Sequence, residues 1–520
     1  MHTFLTTLPW YAYAATSGLL LILTFYPFYL FPLVFVALVP LYFLAARTQS
    51  NFRHIFFAGL IAFAMVTFTI AFLLAVQFHW LPASQSFVDA VRFFGVGAIT
   101  LWYGVVFGTS FTLYRLLRSH SPLLNLLLGA ALYSSAEVVA SATTGGYYVP
   151  MLAYAAVATP LISMSALGGA FFVSYIIALG NICIAELLLA TVEQRKLVIR
   201  SIVILFGVVL VLYVGNALYL NREQEGEEHA LSVASIQLAN RADKEFATTT
   251  TRGLSFPQFE AALATIKNSP DLIIYPDSIV EGAVARGEVS VGSISVAAGE
   301  EEMQHFVARV LPNSALMIWS NVAEGDAITT GFQFYAQGEF VGEQSKESLL
   351  RFMDYTPPLV RKLGVYVTPF DVVPAEESPP TFVADVRMGG LVCSEAVRSG
   401  RARAEARGAE VLVAAGSEAM FIDDGIGLFT LRALQYRAVE NNIPIIRMSL
   451  FGPSALIQKD GSLTAYLPQG EGGVLTGEIE VETPKQTLFS ALGGIPLALL
   501  CLTIFATAVR TKFLRRREQW

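Results

Sequence analysis

Three residues of this chain combine a chemically useful side chain with a position just past an apolar run. Cys393 closes the stretch Met388-Gly389-Gly390-Leu391-Val392, with Ser394 and Glu395 directly after it. Asp277 follows Leu272-Ile273-Ile274-Tyr275 and Pro276, and Lys346 follows the hairpin-like stretch 331–344. Strand ends are where α/β folds place their sites. A thiol becomes a useful nucleophile when a base takes its proton, and a cation steadies the thiolate and the oxyanion that follows. Singly, each residue also has a plainer reading. Cys393 fits core packing, Asp277 a turn or helix cap, and Lys346 a solvated surface. Their order and spacing make them a set.

The elements that must position them alternate in type. Residues 230–238 read as a strand, 256–267 as a helix, and 271–275 as a buried strand stopped by Pro276-Asp277. A helix over 300–310 precedes a strand over 315–319 and a hairpin over 331–344 with Gln337-Gly338 as its turn. Then come a strand over 383–392, a helix over 395–407 and a strand over 411–414. A helix over 427–441 is followed by strands over 443–448 and 455–457. Such an order predicts a layered α/β sandwich.

Outside that stretch the chain is of another kind. Of 520 residues, 54% are hydrophobic and 14% charged, and the mean hydropathy of +0.56 points to a membrane protein. Charged residues are sparse before Glu193 and of ordinary density from about Asn221 to Gln486. A bilayer crossing needs about 20 apolar residues. Seven such spans are expected before the soluble stretch, at roughly 9–26, 28–46, 55–78, 93–114, 122–142, 161–191 and 199–219, and an eighth at 487–509. The first lacks a charged start and a cleavage site, so it reads as a retained span.

Four loops or tails carry the basic excess: Arg47 with Arg53, Arg115 with Arg118, Arg195 with Lys196 and Arg200, and the tail from Arg510 to Arg517. All four fall on one side if the chain starts inside and every span crosses, which puts the soluble domain outside the cytoplasm. The expected divisions are a membrane domain over 1–220, a catalytic domain over 221–486, and a final span with a basic tail over 487–520. Cys183 and Cys501 lie in expected spans, so Cys393 is the one thiol of the exported domain and has no disulfide partner there. A nucleophile held against a membrane suggests a lipid or lipid-anchored substrate. No His, Cys and acid spacing resembles a metal site, and no glycine loop would cradle phosphate, so no metal or cofactor is expected. The C-terminal basic cluster reads as a lipid-facing topology anchor rather than a nucleic-acid patch. Glu137, an isolated acid in the fifth span, reads as helix-packing support or as part of a polar cavity.

The ordered triad of acid, lysine and cysteine resembles the carbon–nitrogen hydrolase (nitrilase) superfamily, and within it most closely the membrane-embedded apolipoprotein N-acyltransferases. Nearly the whole chain takes part in the likeness. The family's Trp-Pro-Glu-Thr segment corresponds to Tyr275-Pro276-Asp277-Ser278. Its Tyr-x-Lys-x-x-Leu-x-Pro-Phe-Gly-Glu segment corresponds to residues 344–354, with Lys346 at the lysine and Asp354 at the final acid. Its Cys-Tyr-Glu elbow corresponds to Cys393-Ser394-Glu395, and a later loop to Ser417-Glu418-Ala419-Met420-Phe421. Pro27-Phe28, the Val39-Pro40-Leu41 stretch, Leu167-Gly168-Gly169, and Arg432, Arg437, Glu440, Pro444 and Arg447 extend the match. Both family glutamates are one methylene shorter here, as Asp277 and Asp354. Glu281 and Glu347 are rival bases nearby in sequence, and the strand-end position favours Asp277.

The resemblance implies a polytopic α-helical membrane domain plus an α/β nitrilase-like (αββα sandwich) extracytoplasmic domain. It implies that Cys393 takes an acyl chain from a phospholipid as a thioester and passes it to the N-terminal amine of a diacylglyceryl-cysteine lipoprotein. In that scheme Asp277 is the base, Lys346 stabilises the oxyanion beside a backbone N–H near Ser394, and Glu395 orients Lys346 or the elbow, with Asp354 supporting. Apolar arms within 279–296 and 352–367 would guide the lipids. Location in the bacterial inner membrane, a monomeric state and no nucleic-acid partner complete the expectation. Two rivals stand beside it: a membrane-tethered amidase or nitrilase-type hydrolase, and a catalytically degenerate envelope scaffold.

Overall fold

In the computed structural model the described residues are 8–518, apart from 26, 48–49, 78–84, 147–149, 221–228, 238–259, 261, 267–268, 277–282, 290–295, 352–353, 363, 365–370, 417 and 419–424. The chain divides into two compact units, one formed by residues 1–75, 89–223 and 487–520 and the other by residues 76–88 and 224–486.

The first unit is helical. Its main helices are α1 (Trp10–Thr24), α2 (Val39–Ala46), α3 (Phe52–Gln77), α4 (Gln85–Leu117), α5 (Pro122–Thr143), α6 (Ala170–Leu189) and α7 (Val192–Leu220), with one more after the sheets, named below. Among the described residues, six stretches within these helices are long and apolar enough to cross a membrane, five before the sheets and Ile495–Lys512 after them. The first two expected spans are shorter than that. Helix α1 has 15 residues, and the second span is a 3-10 turn, Phe31–Phe35, followed by α2. Pro32 and Pro40 each sit in the first turn of their piece, where proline starts a helix and cannot continue one. The expected span over 161–191 is likewise broken by Gly169 at φ +78 ahead of α6.

Breaks of this kind leave backbone groups open, and lipid has no water to meet them. Asn181 of α6 meets several at once. Its Oδ1 accepts the Leu38 N–H at 2.9 Å, while its Nδ2 donates to Val34 O at 3.0 Å and Ile177 O at 2.9 Å. Glu137, fully buried in α5, accepts the Leu152 N–H at 3.0 Å at the start of the short helix Leu152–Ala155. That contact gives the isolated acid a packing role. Glu186 takes Arg118 in a forked pair and the Tyr114 hydroxyl at 2.6 Å.

The second unit is built from two sheets. The first holds β1 (His229–Gln237), β2 (Leu272–Tyr275), β3 (Ala283–Val289), β4 (Val296–Gly299), β5 (Ala315–Gly325), β6 (Ala327–Ala336), β7 (Glu339–Ser345) and, last in the chain, a strand at Gly473–Val481. The second holds β8 (Thr381–Val383), β9 (Val386–Val392), β10 (Val411–Gly416), β11 (Ile445–Ser449), β12 (Ser454–Ile457) and β13 (Leu463–Leu467); the strand at Gly473–Val481 is β14. In the first sheet β14, β1, β2 and β5 are neighbours, with β3 and β4 beyond β5 and the β6–β7 hairpin also running from β5. In the second the order is β13-β12-β11-β10-β9-β8, with β9, β10 and β11 parallel.

Period-two alternation assigns each face. Leu272 and Ile274 of β2 join Met317, Phe332, Phe334, Met388, Val392, Val411, Val413, Ile446 and Met448 in one core between the sheets. Ile273 and Tyr275 face the other way, against Met303, Phe306 and Val307 of α8 (Glu300–Val310). On the far side of the second sheet, Leu391, Leu412 and Ala414 pack with Ala402 of α9 (Ser399–Glu405) and with Leu431, Leu434 and Ala438 of α10 (Gly425–Asn441). The layers run helix, sheet, sheet, helix. The helix after the sheets, α11, spans Ile495–Glu518.

Several elements differ from the sequence expectation. The strand read over 383–392 is a tight hairpin of β8 and β9, because Ala384 and Asp385 both turn at positive φ, +52 and +59. The helix read over 395–407 is a 3-10 turn, Cys393–Val397, then α9, separated by extended Arg398. Within the expected arm over 279–296, residues 283–289 are strand β3, paired with β5. Strands β13 and β14 were not expected. The helix read over 256–267 lies mostly outside the described residues.

Candidate active site

The site begins with two glycines. Gly390 points from β9 toward the first sheet, where an added Cβ would lie 2.5 Å from Gln344 Cβ and 3.1 Å from Phe332 Cδ2. Gly389 points the other way, where a Cβ would lie 2.5 Å from Glu405 O of α9. With no side chain on either face, β9 lies tight between β7 and α9. Lys346, two residues beyond Gln344, is thereby brought into electrostatic reach of Cys393, three residues beyond Gly390.

Cys393 follows the last residue of β9 at φ +53 and opens the 3-10 turn. A non-glycine residue there carries about 1 kcal/mol or more of backbone strain, the mark of a strand-to-helix elbow that lifts a nucleophile off its sheet. Cys393 as a residue is half-buried. The turn is tied at both ends. Glu395 Oε2 accepts the Val392 N–H at 3.0 Å, and Arg437 of α10, ion-paired with Glu440, donates to Val397 O at 3.1 Å. The Arg437 bond takes up the carbonyl that a continuing helix would have used.

Lys346 is 1% exposed. Its backbone N–H donates to Thr330 O at 2.8 Å and its carbonyl accepts the Ala375 N–H at 3.0 Å, so the segment is fixed before its side chain begins. Its Nζ donates to Asp354 Oδ1 at 2.9 Å and lies 2.7 Å from Oδ2. Glu395 adds a cross-link between the sheets. Its Oε1 accepts the N–H groups of Glu347 at 3.0 Å and Ser348 at 2.8 Å, directly after the lysine.

The charges act on one another. Burial pushes the Cys393 thiol up; Lys346 pulls it down, Asp354 and Glu418 push it up, and the Ser394 N–H bond pulls it down, with a raised pKa as the outcome. Burial works against the Lys346 ammonium, but the Cys393 sulfur and the Asp354 carboxylate outweigh it and hold its pKa above the ordinary lysine value. Burial also pushes Glu395 up, against the Ser348 and Val392 N–H groups and the charges of Arg401 and Lys346. A thiol beside an ammonium is the chemistry of a nucleophile that needs a base, with a cation placed to meet an oxyanion.

Of the residues singled out in the sequence, Cys393, Ser394, Glu395, Lys346 and Asp354 come together. Asp277, Ser278 and the rival Glu281 lie outside the described residues, as do Ser417, Met420 and Phe421. The other rival base, Glu347, is paired with Arg401. Sequence reasoning missed Arg401 and Glu405, whose i, i+4 spacing on a helix was the available signal. It also gave no role to Glu418, which is buried, pairs with Arg447 at 2.5 Å and accepts from the Ser449 hydroxyl.

Residues 294–487 match the carbon–nitrogen hydrolase family, and residues 17–183 match the family described as apolipoprotein N-acyltransferase N-terminal domain. Curated relatives are similar over nearly the whole chain. An apolipoprotein N-acyltransferase of Geobacter metallireducens is 24% identical over 97% of this chain and 96% of its own length. One of Haemophilus influenzae is 22% identical over 98% and 96%. Among solved structures, a carbon–nitrogen hydrolase of Helicobacter pylori is 16% identical, covering 48% of this chain and 89% of that one, at a TM-score of 0.33. An amidase from Nesterenkonia sp. is 19% identical, covering 50% and 92%, also at a TM-score of 0.33. The two-sheet, four-layer unit is that of a carbon–nitrogen hydrolase domain. Joined to its apolar helical half, the chain is a multi-pass membrane protein and belongs to the apolipoprotein N-acyltransferase family.

Proposed function

We propose that this chain moves an acyl group from a membrane phospholipid to the N-terminal amine of a diacylglyceryl-cysteine lipoprotein, through a thioester on Cys393. It is an acyltransferase. The observation that carries the reading is the meeting of the Cys393 elbow with buried, Asp354-bound Lys346 in a chain whose other half is a family membrane domain.

In the first half-reaction the Cys393 proton goes to a carboxylate, assigned to Asp277, and Sγ attacks the ester carbonyl. Lys346 Nζ faces the oxyanion of the tetrahedral adduct, with the Ser394 N–H as the second donor. The C–O ester bond breaks, the base returns its proton to the leaving alkoxide, and lysophospholipid departs. In the second, the lipoprotein amine attacks the thioester, loses a proton to the same carboxylate, and the C–S bond breaks to restore the thiol. Asp354 holds the lysine throughout, and Glu395 holds both the elbow and the segment behind the lysine. The basic loops favour the inner-membrane orientation with the catalytic unit outside the cytoplasm. The domain divisions assigned from sequence, and apolar arms beside the site, belong to the same proposal.

The test is thioester trapping. Membranes containing the chain are incubated with a phospholipid labelled in its acyl chain, then probed for hydroxylamine-sensitive label. Label on the wild type that vanishes in Cys393→Ala is expected. Release of free fatty acid with no lipoprotein product would instead indicate a hydrolase, and no label on the wild type sinks the proposal.

A further inference from the structure

Behind the thiol one guanidinium gathers three carboxylates. Arg401 of α9 has a side chain 10% exposed. It is paired with Glu347, where Nη2 lies 2.6 Å from Oε1, and with Glu405 one turn later; its Nε lies 3.8 Å from Glu395 Oε1. Each of these acids also reaches one or both of the strand ends that carry the reacting groups. Glu347 is the residue after Lys346. Glu395 accepts N–H groups from Glu347 and Ser348 on one side and from Val392 on the other. Glu405 accepts the Gly390 N–H of β9 at 3.1 Å. The cluster therefore grips the backbone just after the lysine and the backbone just before the cysteine, and Arg401 is the group common to both grips.

Without the guanidinium, three negative side chains would share a buried space. Two of them, Glu395 and Glu405, are nearly inaccessible to water, and Glu347 is only slightly more open. Uncompensated charge at such a place is expensive, and separation is the available relief. Glu347 is the most exposed of the three, and its backbone leads straight to Lys346.

We infer that Arg401 is a positioning residue for the lysine–thiol pair, holding Lys346 Nζ in register with Cys393 Sγ while touching neither. The inference rests on Cys393 and Lys346 acting as proposed above. It separates position from binding. The acyl donor does not meet Arg401, so its loss should slow the chemical step and leave donor affinity alone.

The experiment uses the full chain in detergent micelles with Cys183 and Cys501 replaced by serine. A phosphatidylethanolamine with a fluorescent acyl chain is the donor. Single-turnover loading is followed as a function of donor concentration, and iodoacetamide alkylation of Cys393 at pH 7 is measured in parallel. Arg401→Met should load about 100-fold more slowly at saturation, the cost of a displacement of about 1 Å. The half-saturating donor concentration should stay within about twofold, which is the signature of an effect on the chemical step. Alkylation should slow several-fold, because the ammonium has moved from the sulfur. Arg401→Lys should recover most of both rates, and Glu347→Gln, which removes one anchor, should lose about tenfold in loading.

Wild-type loading in Arg401→Met overturns the inference. So does an equal loss in the Met and Lys variants with alkylation unchanged, which is the pattern of a purely structural ion pair. If the wild type itself fails to load, the acyltransferase reading falls. The alkylation comparison then still decides Arg401, since it needs no substrate.

Discussion

Asp354 holds Lys346 through both carboxylate oxygens, at 2.9 and 2.7 Å, and the nearer oxygen also accepts the Leu350 N–H at 2.5 Å. The acid's own N–H returns to Leu350 O at 2.9 Å, so the carboxylate is part of a closed turn. A buried ammonium held this way loses little freedom when an oxyanion arrives. Replacing Lys346 by Met should therefore cut acyl loading by about 100- to 1,000-fold, the usual loss on deleting one oxyanion donor. Hydroxylamine-sensitive label per minute is the measurement, and a loss under tenfold would place the oxyanion elsewhere.

The raised thiol pKa fixes a pH profile. Alkylation of Cys393 by iodoacetamide should stay slow at neutral pH and climb only above the ordinary thiol value of about 8.5. Glu418 adds negative charge near the sulfur, so Glu418→Gln should shift the midpoint to lower pH. Loss of Lys346 should shift it to higher pH. Rates read between pH 6 and 11 on the chain carrying only Cys393 check both directions, and a reversed order of the two variants would contradict the charge assignment.

Asp277→Asn should abolish loading while leaving high-pH alkylation of Cys393 in place. The variant removes the proton acceptor and leaves the thiol. The shorter aspartate is then the working base. Loading that persists in this variant would pass the role to another carboxylate, with Glu281 the first to test.

Glu395→Gln should lower the apparent unfolding midpoint, with a loss of about 1–3 kcal/mol for N–H groups left without an acceptor. The pH dependence has a definite sign. Burial raises the Glu395 pKa, so the folded chain binds more protons than the unfolded chain from the ordinary glutamate value of about 4.3 upward. Stability from this group falls as pH rises through that window, and the glutamine variant lacks the fall. The gap between wild type and variant should therefore narrow with rising pH. Thermal scans at pH 4.5 and 7 measure it, and a widening gap would refute the assignment.

How far the site was legible in the sequence depends on which force places each residue. Cys393 and Lys346 follow apolar runs, and strand periodicity finds strand ends. The exact match of α8 to residues 300–310 and the turn at Gln337-Gly338, both at positive φ, have the same origin in local patterning. The β8–β9 hairpin was hidden because Ala384-Asp385 lacks the usual Asn-Gly signal. Strand β13 was hidden because its side chains are largely exposed, which weakens the apolar alternation, and β14 because Gly477 interrupts the buried face of Leu475, Ile479 and Val481. For Arg401, the i, i+4 spacing with Glu405 was in view, but the rest of its cluster was not. Its partners come from β7's far end, from the elbow and from its own helix, and no window along the chain contains that set.

Gly389 and Gly390 carry a consequence for how any relative of this chain should be judged. At these two positions β9 presents only hydrogen atoms, one toward the first sheet and one toward α9. Stacked sheets ordinarily stand about 10 Å apart because side chains fill the gap. At Gly390 an added Cβ would lie 2.5 Å from Gln344 Cβ, so the missing side chain is what admits the strand that leads to Lys346. A chain could keep its cysteine, its lysine and every acid and still lose the reaction by gaining one methyl group at this strand. The inventory of reactive groups describes what such a protein owns; two absent side chains decide whether those groups meet.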